Sequence, residues 1–258
     1  MTIQLRQICL VAHNLDSSVK NLTDILGINS CYVDPEVEMF GLENNLMSIG
    51  RNFLEVVSPI KENTAGGRYL ERRSGDGGYM VITQADTFEN QRAIRQKAVD
   101  LGIRIAHESE QDGWNICQLH PADLKAAFLE IEYDKFEDFQ GNWMPANGLG
   151  WKDKIKQDVT VDYLGVELQS YDSLGLAKLW GSITDLDVVE TTNEIYIELN
   201  NVKIRFVEVN DGRGPGLGGL DILVADRDYI LEKARERNCD FSEDRVDICG
   251  TRFYLHDK

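Results

Sequence analysis

With 258 residues, 42% of them hydrophobic and 28% charged, the chain is long enough for one large or two ordinary domains with real cores, and too apolar for disorder. Its 44 acidic against 27 basic residues leave a net charge of −17, which repels nucleic-acid phosphates and anionic lipid and argues against both as partners. No apolar run is long enough to span a bilayer, and the opening MTIQLRQICLVAHNLD lacks the basic region and small-residue cleavage site of a signal peptide, so a cytoplasmic location is expected. The five cysteines (Cys9, Cys31, Cys117, Cys239, Cys249) are scattered and never form a C-x-x-C pair, which indicates structural thiols and neither a zinc site nor a disulfide framework.

In chain order, QICLVAHNLDSSVKNLTDILG (7–27) reads as a strand, an Asn-bearing turn and an amphipathic helix with Leu15, Val19, Leu22 and Leu26 on one face, stopped by Gly27. Strand-like stretches INSCYV, NNLMSI and NFLEVV follow. In the last of these Glu55 stands among Phe53, Leu54, Val56 and Val57, where an ionised carboxylate is costly unless paired, hydrogen-bonded or metal-bound. GLENN (41–45) is either a simple turn or a place where Glu43 and Asn44 turn polar groups inward. The segment GGRYLERRSGDGG holds the one basic cluster: Arg68 and Arg72 one helical turn apart, with Arg73 beside them. They form either a guanidinium clamp for a carboxylate or phosphate, or exposed charge paired with Glu71 and Asp76.

The same grammar recurs in YMVITQADTFENQRAIRQKAVDLG, with Ile94, Ala98 and Leu101 on the helix face and Gly102 as the stop. It recurs in LGVELQSYDSLGLAKLWGSI, with Leu176, Leu179, Trp180 and Ile183, and in LDILVADRDYILEKARERN, where Asn238 ends the helix. Further strands, such as WNICQLH and AAFLEIEY after the second helix, complete a βαβββ pattern repeated four times, with helices starting near residues 15, 87, 173 and 228. His120, before Pro121, is a capped loop residue or a ligand; His13 and His107 read as surface residues. The aperiodic stretch 138–158 reads as a linker dividing the repeats two and two, and DGRGPGLGG (211–219) as a connection, since it lacks the G-K-[ST] ending of a phosphate loop.

LRQICLVAHNLDSSVKNLTDILGI resembles the opening of vicinal-oxygen-chelate proteins, the glyoxalase, bleomycin-resistance and extradiol-dioxygenase superfamily. FLEVVSP resembles its glutamate-bearing fourth strand, and HPADLKAAFLEIEY the closing strand of a second module. GLENNLMSIGRNFLEVVSP together with TAGGRYLERRSGDGGYMVI is similar to an uncharacterised glyoxalase-like subfamily. The resemblance covers residues 3–135 well and 160–257 less specifically. It implies an α+β fold of four tandem βαβββ modules paired into two glyoxalase-like domains with curved mixed sheets: residues 1–137 with the active pocket, a linker at 138–158, and residues 159–258 with a degenerate site, where Arg205, Phe206 or Val207 replaces a ligand.

In that superfamily a metal is held by the first and fourth strands of each module. Carried over by position, the resemblance implies Gln7, Glu55, Tyr79 in place of the second-module His, and Glu130. Two carboxylates and an amide would suit Mg or Mn before Zn; a metal-free cup, in which two carboxylates raise one another's proton affinity, is equally physical. The implied function is a lyase or isomerase moving a proton next to a carbonyl, with Glu55, Glu130 and Tyr79 as catalytic groups and Arg68, Arg72, Arg73, Glu43, Asn44 and His120 as substrate contacts. The alternative is a binding protein that sequesters a small, anionic molecule; a dioxygenase lacks its two-His-one-carboxylate set. The molecule is expected to be a monomer or a homodimer.

Overall fold

A computed structural model describes residues 2–258. The first unit runs β1 (Ile3–Val11), α1 (Leu15–Leu26), β2 (Ser30–Tyr32), β3 (Leu42–Ile49) and β4 (Asn52–Pro59). Asn14 caps α1 by accepting from the Ser17 amide at 2.9 Å, and Gly27 ends it at φ 63°, the left-handed conformation that glycine adopts without steric cost. A short α2 (Ala65–Arg73) leads to the second unit: β5 (Gly77–Ala85), α3 (Phe88–Asp100), β6 (Ile105–Gln111), β7 (Trp114–Leu119), the single turn α4 (Pro121–Leu124) and β8 (Phe128–Asp134). The rest comprises β9 (Thr160–Ser170), α5 (Ser173–Thr184), β10 (Val189–Glu190), β11 (Ile195–Glu198) and β12 (Lys203–Glu208), then β13 (Gly216–Val224), α6 (Arg227–Glu236), β14 (Arg245–Ile248) and β15 (Thr251–Asp257).

One pairing rule recurs. β1 lies parallel to β4, β5 to β8, β9 to β12 and β13 to β15, the crossover that a strand–helix–strand connection produces. Units meet through antiparallel first strands, β1 with β5 and β9 with β13. The strands of the two halves pair at a single position, Leu217 with Gly78, where a Cβ on residue 78 would sit 2.2 Å from Leu217 Cδ2, so only glycine permits the approach. The result is a curved mixed α+β sheet network. After α6 only two strands follow, with an isolated bridge at Phe241–Val246 where a third was expected.

The helix faces pack as their periodicity predicts, with Leu22, Leu26, Ile94, Ala98, Leu176, Trp180 and Ile183 buried; Leu101, expected there, is 49% exposed because it caps α3 rather than continuing it. One apolar cluster runs unbroken from Ile3, Leu54 and Val81 to Leu168, Leu220 and Phe253, through both halves. A second lies on the opposite, concave face of β1, β4 and β5 and contains Cys9, Phe53, Val57, Tyr69, Tyr79 and Ile82 together with Trp143 and Trp151. Residues 138–158 pack on this second cluster. They form a strap whose two indoles are wholly buried against the first half, with Phe53 5.1 Å edge-on from Trp151.

Candidate functional site

Period-two alternation on six strands turns one set of side chains into the concave side of the first half. Gln7 and Cys9 come from β1, Glu55 and Val57 from β4, Met80 and Ile82 from β5, His107 and Ser109 from β6, Trp114, Ile116 and Gln118 from β7, and Glu130 and Glu132 from β8. They enclose a cavity of about 260 Å³, with Val37, Met39 and Phe40 of the 3-10 turn Pro35–Phe40 over its mouth and Pro145 of the strap on its flank. The chamber continues outward to His120 and Phe128.

Glu55 sits in a fixed cradle. Asn44 Nδ2 donates to its Oε1 at 2.6 Å and Gln7 Nε2 to its Oε2 at 2.9 Å, while Trp143 Nε1 donates to Gln7 Oε1 at 2.8 Å. Trp143 thereby sets the orientation of the Gln7 amide: turned over, it would face its nitrogen to an N–H donor and its oxygen to a carboxylate. No lysine or arginine pairs with Glu55. Burial raises its proton affinity, the Asn44 bond and the Cys9 thiol oppose that, and the charge of Glu130 adds to it. Burial likewise pushes the Cys9 thiol well up.

Glu130 accepts from Gln118 Nε2 at 2.6 Å, and Glu132, two residues on and on the same strand face, accepts from Trp114 Nε1 at 2.7 Å. Both are buried, and Glu132 Oε1 has no donor from the protein. Two buried carboxyl groups side by side cannot both ionise cheaply; desolvation raises both, the charge of Glu130 and a bond to it raise Glu132 further, and the same bond holds Glu130 down. Arg6 lies nearby outside the cup. It is wholly buried, 4.9 Å from the Trp143 ring and hydrogen-bonded to strap carbonyls, and burial lowers its pKa to about 10.

The sequence-derived residues divide. Glu55, Glu130, Gln7 and Tyr79 come together in the cup, Asn44 braces Glu55 from beside it, and His120 lies at the outer chamber, where its Nδ1 accepts from the Ala122 amide at 3.2 Å as the cap of α4. Glu43 is exposed, since alternation along β3 turns it away from Asn44. The three arginines do not line the cup. Arg68 is exposed and bonds the Asn63 carbonyl, Arg72 lies over the Tyr69 ring at 5.6 Å, and Arg73 is buried, donating to the carbonyls of Arg213, Gly214 and Pro215 at 2.6–2.8 Å. They serve α2 and the 211–219 loop instead.

Register also shifts one equivalence. Gln7 lies opposite Phe53, two residues before Glu55, and the residue opposite Phe128, two before Glu130, is Met80. Met80, not Tyr79, is thus the counterpart of Gln7. Tyr79 instead packs edge-on against Tyr69 and Phe128, each at 5.0 Å, and burial holds its hydroxyl protonated. His107, expected on the surface, faces the cup with its ring 5.2 Å from Phe40.

As a metal centre this donor set does not fit. Gln7 Oε1 is taken by the indole, both Glu55 oxygens accept amide hydrogens, and a thioether stands where an imidazole would be needed. Among the described residues no group of three or more His, Cys, Asp or Glu is placed to hold a metal ion.

In the second half the corresponding face carries an ion network. Arg205 makes a two-pronged bond to Asp221 at 2.8 and 3.0 Å and reaches Glu167 at 3.1 Å; Arg252 holds Glu167, Gln169 and Asp211 at 2.7–3.1 Å. Arg205 stands opposite Glu167 as Glu55 stands opposite Cys9, so a paired cation takes the place of the carboxylate.

No protein-family model matches the chain, and no curated protein matches it by sequence. Solved structures do. A Mn(II)-bound glyoxalase from Novosphingobium aromaticivorans superposes with a TM-score of 0.67 at 10% identity, covering 98% of this chain and 81% of that one. A hypothetical protein from Staphylococcus aureus gives 0.66 at 14% identity over 99% and 100% of the two chains. A mutant 4-hydroxymandelate synthase from Streptomyces coelicolor gives 0.62 at 16% identity over 93% and 76%.

Proposed function

We propose, for a chain that carries the vicinal-oxygen-chelate fold, that the first-half cup handles a small carbonyl compound and moves a proton on the carbon beside its carbonyl. The observation that carries this reading is the Glu130–Glu132 pair: two buried carboxyl groups on one strand face of a largely apolar cavity, raised to different extents, an arrangement that suits one as base and the other as acid. Glu130, as carboxylate, takes the proton. The C–H electron pair moves onto the carbonyl oxygen, the Tyr79 hydroxyl donates to the resulting enolate, and the proton returns to carbon from Glu130. Glu55, tied down by two amides, is a fixed negative wall rather than the base. Residues 1–137 form the working half and 159–258 the supporting one, with 138–158 as the strap.

Nuclear magnetic resonance of a panel of small carbonyl compounds in D2O tests this. The protein should speed exchange of the hydrogen beside the carbonyl, and Glu130→Gln should remove that acceleration. Saturation of Glu55 by its cradle favours one second reading, capture without chemistry: binding retained, with no exchange in the wild type.

A further inference from the structure

Asp34, Glu36, Glu55, Glu130 and Glu132 all line the cup, and no lysine or arginine does. Arg6 stays outside the cup, bonded to strap carbonyls, and Arg104 at the edge of the outer chamber is engaged by Asp123 at 2.8 Å through two nitrogens. The remaining walls are apolar: Val37, Met39, Leu42, Val57, Ile82 and Ile116. A carboxylate or phosphate entering this space would meet five carboxyl groups and no lysine or arginine to pair with, His107 being the one basic side chain of the lining. Beside that acidic balance, Glu132 Oε1 is a fully buried oxygen at the cup with no partner but the neighbouring Glu130 carboxyl. In a folded protein such an atom calls for a partner.

We propose that the cup binds a compact organic ammonium: a protonated amine on a small apolar body, its N–H groups donated to Glu132 Oε1 and the adjoining Glu130 carboxyl and its apolar part against Val57, Ile82 and Ile116. The proton the pair holds in the free protein leaves to solvent as the ammonium arrives, so charge is conserved in the cavity. An ammonium suits the site better than a bare divalent ion. It needs only three acceptors, whereas a divalent ion needs six or more oxygens and finds those of Gln7 and Glu55 already engaged. The inference rests on the reading of this cup as the ligand site in its second form, capture without chemistry, since an ammonium on the pair displaces the proton that the transfer step uses, and it adds the charge class of what the cup takes.

Isothermal titration of the full chain at neutral pH with benzylammonium, benzyl alcohol and benzoate, matched in body and differing in head group, decides the matter. Benzylammonium should bind at least about tenfold tighter than the alcohol, and benzoate should not bind. Glu132→Gln should bring the ammonium-to-alcohol ratio toward one, and the exposed rim variant Glu36→Gln, which places no demand on folding, should lower it by a smaller factor. Equal binding of all three, or preference for benzoate, overturns the charge class but leaves the cup as a ligand site. Binding of none of them overturns both. Tight binding of Mn2+ alone, without benzylammonium, overturns the ammonium in favour of a metal.

Discussion

Glu55 is unusual because it is buried without a cation, and its cradle is a relay of two hydrogen bonds, Trp143 to Gln7 and Gln7 to Glu55, closed from the other side by Asn44. Trp143→Phe removes the indole donor and leaves Gln7 Oε1 buried and unsatisfied, which should cost about 1–3 kcal/mol. A denaturant melt measures it, and a loss too small to resolve would mean that the Trp143 bond does not hold the amide. For Glu130 the sign is opposite. Its folded-state proton affinity is raised by burial, so the stability it contributes is full below the unfolded value of about 4.3 and is lost as pH rises through the folded value. The groups facing it are Glu132, Gln118, His107 and Glu55. Glu130→Gln, which can still accept from Gln118, should therefore melt higher than the wild type at pH 7, with the gain fading toward pH 4, while proton exchange is lost. A variant less stable at pH 7 would show that Glu130 is held as a satisfied structural anion. The oddity of Glu55 was legible because an acid in an apolar run needs a partner. Glu132 carried the same signal in FLEIEY, one strand period beyond Glu130, and only the fold revealed that both face one cavity.

At the scale of elements, the strap and β6 were least legible, for opposite reasons. Residues 138–158 have no periodicity because they form neither helix nor strand of length. Their function lies in two anchors, Trp143 and Trp151, and two indoles within nine residues are themselves a hint of burial that a solvated linker would not carry. Trp151→Ala should cost about 3–5 kcal/mol, the scale of a large-to-small change in a closed core, and should expose the strap to limited proteolysis. An unchanged melting temperature would mean that the strap only rests on the sheet. In β6, AHESEQ alternates faithfully: Glu108 faces outward to Arg92 and Arg95, while His107 and Ser109 face inward. The inward set is not apolar because it meets a cavity instead of a packed core, and a pattern search for hydrophobic alternation passes over it. The arginines of α2 misled in the reverse direction: their spacing was right for a clamp, but α2 runs against β4 with Arg73 turned to the 211–219 loop, where it donates to three successive carbonyls.

For the whole molecule, repetition of one strand–turn–helix grammar made the α+β architecture readable, since every first strand pairs in parallel with its unit's last. Whether the halves are independent depends on what joins them. The strand seam is a single pair, Leu217 with Gly78, but the apolar cluster is continuous across it, and Asn201 of the second half exchanges two hydrogen bonds with the Leu5 backbone of the first, at 2.9 and 3.0 Å. Packing on that scale should couple the halves into one cooperative transition. Calorimetry of the wild type should thus give one peak whose calorimetric and van't Hoff enthalpies agree. The second-half ion network supplies a perturbation far from the cup. Arg205→Ala leaves Asp221 and Glu167 buried and short of their shared cation, and should cost about 3 kcal/mol, somewhat under the full penalty for a deeply buried pair because Arg205 itself remains 19% exposed. If the halves are coupled, the single peak moves down intact and ligand affinity at the cup, measured well below the new midpoint, stays at its wild-type value. If they are not, the variant's peak splits, the second half melting early while the cup half melts where it did before. That split would make the strap a tether between two separately folded domains and the shared core an incidental contact.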